Sequence, residues 1–179
     1  MGMELLSKLE HTIAGWLREV PHLPSDVRKW LGDNLWWIAL VGAIVTAIGV
    51  LGQVVVLLSN LSMLGSPVIA YYASTTFLAL SIVKTIITLV FLTLSCILLA
   101  LAVTPLKEKQ KKGWVLIFGS WLVSVASVVV GAIITFNPFS FLTNVIFGSL
   151  GLIVGLYFVF EVHGQFAHVE KSKGVKKKA

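Results

Sequence analysis

Thr104-Pro105-Leu106-Lys107-Glu108-Lys109-Gln110-Lys111-Lys112-Gly113-Trp114 is the only charged segment between about Trp36 and Phe160, apart from the single Lys84. Long apolar runs flank it on both sides. A bilayer hydrocarbon core about 30 Å thick takes about 20 residues of apolar helix to cross. The runs meet that requirement. The stretch from Lys107 to Lys112, almost entirely charged, does not, because ionised side chains in hydrocarbon are costly. The segment therefore divides the chain into two apolar halves, each long enough for two spans. The fold class that follows is all-α: a polytopic membrane protein with four transmembrane helices in two hairpins, preceded by a cytoplasmic or interfacial amphipathic helix.

Composition agrees with this division. Of 179 residues, 57% are hydrophobic and 12% charged, whereas soluble domains run near a quarter charged. The formal net charge of +6 is concentrated at the ends and in the central loop. Such a distribution speaks for membrane orientation and not for nucleic-acid binding, since no basic face is interleaved with exposed aromatics. The single Cys96 makes no intrachain disulfide, and no Cys/His spacing suits a metal. No metal, cofactor or catalytic residue is expected.

Working outward to the N-terminus, Leu6, Leu9, Ile13, Leu17 and Val20 recur on one face of a helix over residues 3–20. This segment is too short and too charged to span. It is expected at the interface, with Trp16 at headgroup level, or packed under the bundle. Pro21 and Pro24 break it. Ser25 is read as the N-cap of a short helix Asp26–Leu31 ended by Gly32, with Asp33-Asn34 capping the next. Trp30, Trp36 and Trp37 mark entry into lipid. Residues 1–34 thus form a cytoplasmic amphipathic segment, 35–160 the four-helix domain, and 161–179 a basic cytoplasmic tail.

The spans are expected at about 35–58, 78–103, 114–136 and 142–160. Thr104-Pro105 is read as the stop of the second. In the first, Ala39, Ala43 and Ala47 recur every fourth residue, a spacing that lets helices approach closely. The fourth carries Gly148, Gly151 and Gly155 as packing positions, the last two forming a GxxxG. The connection 59–76 is uncharged; its Ser66-Pro67 can start a helix, and the piece 63–78 is read as interfacial, re-entrant or a projecting helix.

With four spans, both termini and the central loop share one side. The connections at 59–76 and 137–141 hold no charge. The positive-inside rule then places the termini and the loop in the cytoplasm, with a bacterial plasma (inner) membrane as the expected location. Lys107, Lys109, Lys111 and Lys112, together with Lys176, Lys177 and Lys178, form a joint basic surface facing anionic headgroups.

Lys84 is the one charge inside a span, and an intramembrane ionisable residue is a functional-site candidate by default. At the helical rise, Lys84 lies ~30 Å from Thr104, Gln53 ~27 Å from Leu35 and Asn144 ~25 Å from Glu161. These three, with Thr88, form a candidate polar cluster at similar height. The competing reading is that Lys84 snorkels to headgroups. Glu161, where the fourth helix exits, is expected to pair with a loop lysine at small gain. No Asp or Glu lies inside a span, which argues against proton-coupled small multidrug transport. The expected function is a non-enzymatic accessory or scaffold subunit of a membrane assembly, with a homo-oligomer or a membrane-protein partner. The alternative is a small transporter or channel lined by Gln53, Lys84 and Asn144.

Overall fold

The computed structural model describes residues 8–9, 12–13, 15, 20–64, 75–134 and 138–166; of residues 75, 138–145 and 147 it describes the backbone alone. Four long helices follow in order: α1 (Ser25–Met63), α2 (Thr75–Lys107), α3 (Lys111–Ile134) and α4 (Pro138–Glu161). After a turn at Val162, helix resumes to Phe166. No strand occurs among the described residues. Four helices are long and apolar enough to cross a membrane.

The helices run longer than the apolar stretches alone. α1 is one unbroken helix of 39 residues, so the short helix ending at Gly32 does not exist. Gly32 sits inside α1 as a close-approach site: an added Cβ there would lie 2.0 Å from Gln165 Oε1. Asn34 does not cap a new helix either. Its Nδ2 donates to the Trp30 carbonyl one turn back, at 2.8 Å. Ser25 is the first helical residue, and the N-cap is Pro24 with no side-chain cap.

Pro105 does not stop α2. The helix continues to Lys107 and closes in a Schellman arrangement. Gln110 N donates to Pro105 O at 2.8 Å, and Lys109 N to Leu106 O at 2.9 Å. Lys109 takes the left-handed conformation this requires, with φ 53°. A side chain there costs roughly 1–2 kcal/mol, since the Cβ crowds the following carbonyl. α3 begins two residues later. Gly113 permits that tight reversal, because a Cβ at 113 would lie 2.6 Å from Leu106 N and 2.9 Å from Pro105 C.

α1 packs on α2, α2 on α3, and α3 on α4. Registers are read from opposed residues: Gly42 with Leu99, Gly49 with Leu92, Gly119 with Leu98, and Gly148 with Val128. α1 and α4 come together at the end that carries the loop. The core lies at that end too. Trp114, Phe118, Phe166, Leu106 and Val162 are the largest fully buried side chains. Ile13, Leu31, Leu35, Ala39, Ala102, Ile117 and Val159 complete the same cluster.

Away from that end the helices expose apolar side chains broadly, such as Val45, Leu51, Val90 and Ile153. In water such a surface would be untenable, whereas lipid solvates it without cost. Most of the expected N-terminal helix lies outside the described residues, as do 65–74 and the tail from 167. From the head, Ile13 is buried in the core cluster, and Thr12 Oγ1 donates to Lys8 O at 2.9 Å.

Gly113→Ala should lower stability by about 1–3 kcal/mol, because backbone rather than a movable side chain blocks the new methyl. Gly151→Ala, whose Cβ meets nothing within 4 Å, should change stability little or raise it. Thermal unfolding of the purified chain in detergent compares the two; equal effects would contradict the tight reversal.

Candidate functional site

Two polar arrangements compete for a functional role. The first is at the loop end, where the segment before α1 meets α4. Tyr157, Glu161 and Gln165 recur every fourth residue and so share one face. Tyr157 Oη donates to Pro21 O at 2.7 Å. Gln165 Nε2 donates to Arg28 O at 2.6 Å. Between them Glu161 Oε1 lies 2.7 Å from His22 Nδ1, and Glu161 Oε2 lies 3.6 Å from Arg28 Nε.

Glu161 was expected to pair with a loop lysine at an exposed interface. Its side chain is instead 3% exposed, and its partners come from the N-terminal segment. The reason is geometric: its helical face points at α1, not at the loop. Neither Glu161 Oε2 nor Arg28 Nε has a hydrogen-bond partner among the described residues. The pair therefore relies on charge attraction across a gap slightly wider than a hydrogen bond. A buried carboxylate held this way is costly to leave alone.

The loop lysines find other partners. Lys109 Nζ bonds Asp33 Oδ1, and this hydrogen bond holds the Asp33 carboxyl below its ordinary range. Lys107 Nζ sits 5.2 Å from the centroid of the Trp36 ring, a cation–π contact. Lys111 and Lys112 occupy the first turn of α3. Cations there oppose the helix dipole and cost a few tenths of a kcal/mol each. Between the end of α2 and the start of α3 lies a groove of about 330 Å³, lined by Leu101, Thr104, Pro105, Glu108, Gln110 and Lys112. Lys176, Lys177 and Lys178 lie outside the described residues.

The second arrangement is the polar layer. The α1–α2 register places Gln53 level with Thr88, and Lys84 about one turn further from the loop. Asn60 Nδ2 donates to Ser81 Oγ at 3.3 Å across the two helices. Thr85 and Ser95 are buried, while Gln53 and Thr88 are half-buried. These side chains make a polar seam between α1 and α2. Lys84 is exposed at the edge of the seam, with Leu80 and Ile87 as well as Ser81 and Thr88 one turn away on α2. The side chain of Asn144 lies outside the described residues.

Of the packing glycines, Gly148 meets Val128 at 3.3 Å and Gly155 meets Trp121 at 3.7 Å. Gly151 is exposed, with nothing within 4 Å. The contacts of Gly148 and Gly155 are thus to α3 of the same chain.

Sequence reasoning missed the role of Trp114, read there as the start of a span. Trp114 Nε1 donates to Val159 O at 2.7 Å, and Trp121 Nε1 to Leu152 O at 2.7 Å. Trp114, Phe118 and Trp121 stack in sequence, with centroid separations of 5.3 and 5.9 Å. The spacing i, i+4, i+7 was the available signal.

Glu161→Leu should lower the unfolding midpoint in detergent by several degrees, corresponding to about 1–3 kcal/mol, because Arg28 keeps a buried Nε without its counter-charge. Asp33→Ala, at an exposed and solvent-screened pair, should move the midpoint far less. Equal effects would contradict the assignment of Glu161 as the buried partner. No protein-family model, curated protein or solved structure matches this chain.

Proposed function

We propose that the chain is a four-span integral membrane protein that acts as a non-enzymatic accessory or scaffold subunit. In this reading both termini and the loop at Lys107–Lys112 face the cytoplasm of a bacterial plasma membrane. The observation that carries it is the uneven distribution of packing. The buried core and the Glu161 contacts gather at the end that bears every charge of residues 20–166 except Lys84. A rigid end presenting a charged loop suits docking; a rigid polar interior would suit transport.

The placement of Lys111 and Lys112 supports the same reading. They oppose the α3 dipole, so helix stability does not account for them. Anionic headgroups beside the loop would offset that cost, at about 1 kcal/mol for each lysine near the surface. The adjoining groove between α2 and α3 offers a mixed polar and apolar contact for a partner segment.

The polar seam between α1 and α2 favours a second reading, a small transporter or channel. Buried Thr85 and Ser95 are its support. Its difficulty is that Lys84 is exposed and not enclosed by the seam, so the buried part of the path holds no charge that would select an ion.

Affinity purification of the full chain from its native membranes in mild detergent tests the two. The scaffold reading expects a stoichiometric membrane-protein partner, lost when Lys111 and Lys112 are both changed to Glu. A homo-oligomer about a central axis, unaffected by those changes, would support the channel instead. A lone monomer under all mild conditions would contradict both.

A further inference from the structure

Lys84 is exposed on α2 and stands beside Leu80 at the edge of a band of exposed apolar side chains that includes Val83, Ile86 and Val90. That band is the surface a bilayer would cover. A lysine there needs an anion, and this chain has none to offer. The sequence holds no Asp or Glu between Asp33 and Glu108, or between Glu108 and Glu161. Every carboxylate of the four-helix domain therefore lies at the loop end. No ion pair joins Lys84 to a described residue.

Two independent measures give its height. From Thr104 to Lys84 the α2 helix rises about 30 Å, the thickness of a hydrocarbon core. Thr104 itself lies close to the level of Trp37, beside the Trp36 ring that carries Lys107. The α2–α3 register, read from Leu98 opposite Gly119, sets Lys84 level with Ile133. α3 ends at Ile134 and α4 begins at Pro138. The shorter helices thus end at the plane where Lys84 emerges. Beyond that plane α2 continues back to Thr75, about 13 Å further.

The ammonium of a lysine reaches several ångströms past its Cα along the helix surface. From this height it arrives at the phosphate layer of the leaflet opposite the loop. We propose that Lys84 binds the phosphate of a phospholipid in that leaflet and so sets how far α1 and α2 stand out of the membrane. The proposal rests on the reading that the four helices cross a bilayer. It removes Lys84 from the seam of Gln53, Thr88 and Ser95 and gives it a lipid ligand.

The test uses the full chain reconstituted in nanodiscs of phosphatidylethanolamine and phosphatidylglycerol, then released into mild detergent. Native mass spectrometry counts the phospholipids retained on each chain. Lys84→Met should lower occupancy of one phospholipid at least threefold, and Lys84→Arg should retain it. Lys112→Met should leave that lipid bound, since Lys112 lies at the other end. Retention by Lys84→Met at the level of the unmodified chain would overturn the proposal. So would a co-purifying protein lost with Lys84→Met, which would identify a carboxylate of a partner helix as the ligand. Extraction of the membranes with alkaline carbonate separates this from failure of the spanning reading. Chains that stay in the membrane pellet while Lys84→Met keeps its lipid refute the phosphate contact alone. Chains released by carbonate refute the spanning reading itself.

Discussion

The Trp114 indole is fully buried and spends its only donor on the Val159 carbonyl. In a low-dielectric surround, an unpaired N–H of this kind costs several kcal/mol, so the bond fixes α3 against α4 at one height. Phe118 and Trp121 continue the stack along α3, and Trp121 repeats the same bond to Leu152. Two bonds of the same kind, two turns apart on both helices, lock the register. Where lipid surrounds such helices, no hydrophobic drive acts between them and directional contacts matter more than apolar area.

From that locked pair the rest of the charged end follows. Phe166 and Val162 close over Trp114, which carries the end of α4 toward α1. Glu161 then faces the segment before α1 and the first turn of α1, where His22 and Arg28 meet it. Tyr157 and Gln165 add neutral bonds on either side. Proline at positions 21 and 24 keeps this segment out of helix, and Tyr157 reaches the Pro21 carbonyl there. The opposite ends of the helices have no comparable cluster among the described residues. They are held by small-residue contacts such as Gly49 on Leu92 and by the Asn60–Ser81 bond.

Much of this architecture was legible in the sequence. Apolar run length and the single charged loop gave four helices, because bilayer thickness sets a minimum that chance rarely meets. Helix ends were less legible. Gly32 read as a terminator because glycine is a common helix end, but here it serves close packing against Gln165. Pro105 read as a stop, yet α2 runs on to Lys107, and the Pro105 carbonyl accepts from Gln110 N where the helix closes. The Glu161 contacts were hidden for another reason. His22 and Glu161 are far apart in the chain, and only the α3–α4 lock brings them together. Depth arithmetic set Lys84, Gln53 and Asn144 at similar height, whereas the α1–α2 register puts Gln53 level with Thr88 and Lys84 about one turn further. Height along a helix leaves exposure open, and Lys84 is exposed.

The central claim is that the bundle is anchored at its charged end. Paired spin labels at Asp26 and Gly164, both exposed positions of that end, and a second pair at Leu58 and Ile146 near the opposite ends, test it in nanodiscs. Pulsed electron spin resonance should give a narrow distance distribution for the first pair and a broader one for the second. Trp114→Ala should broaden the first pair markedly. Equal widths for both pairs, or a first pair indifferent to Trp114→Ala, would contradict the account.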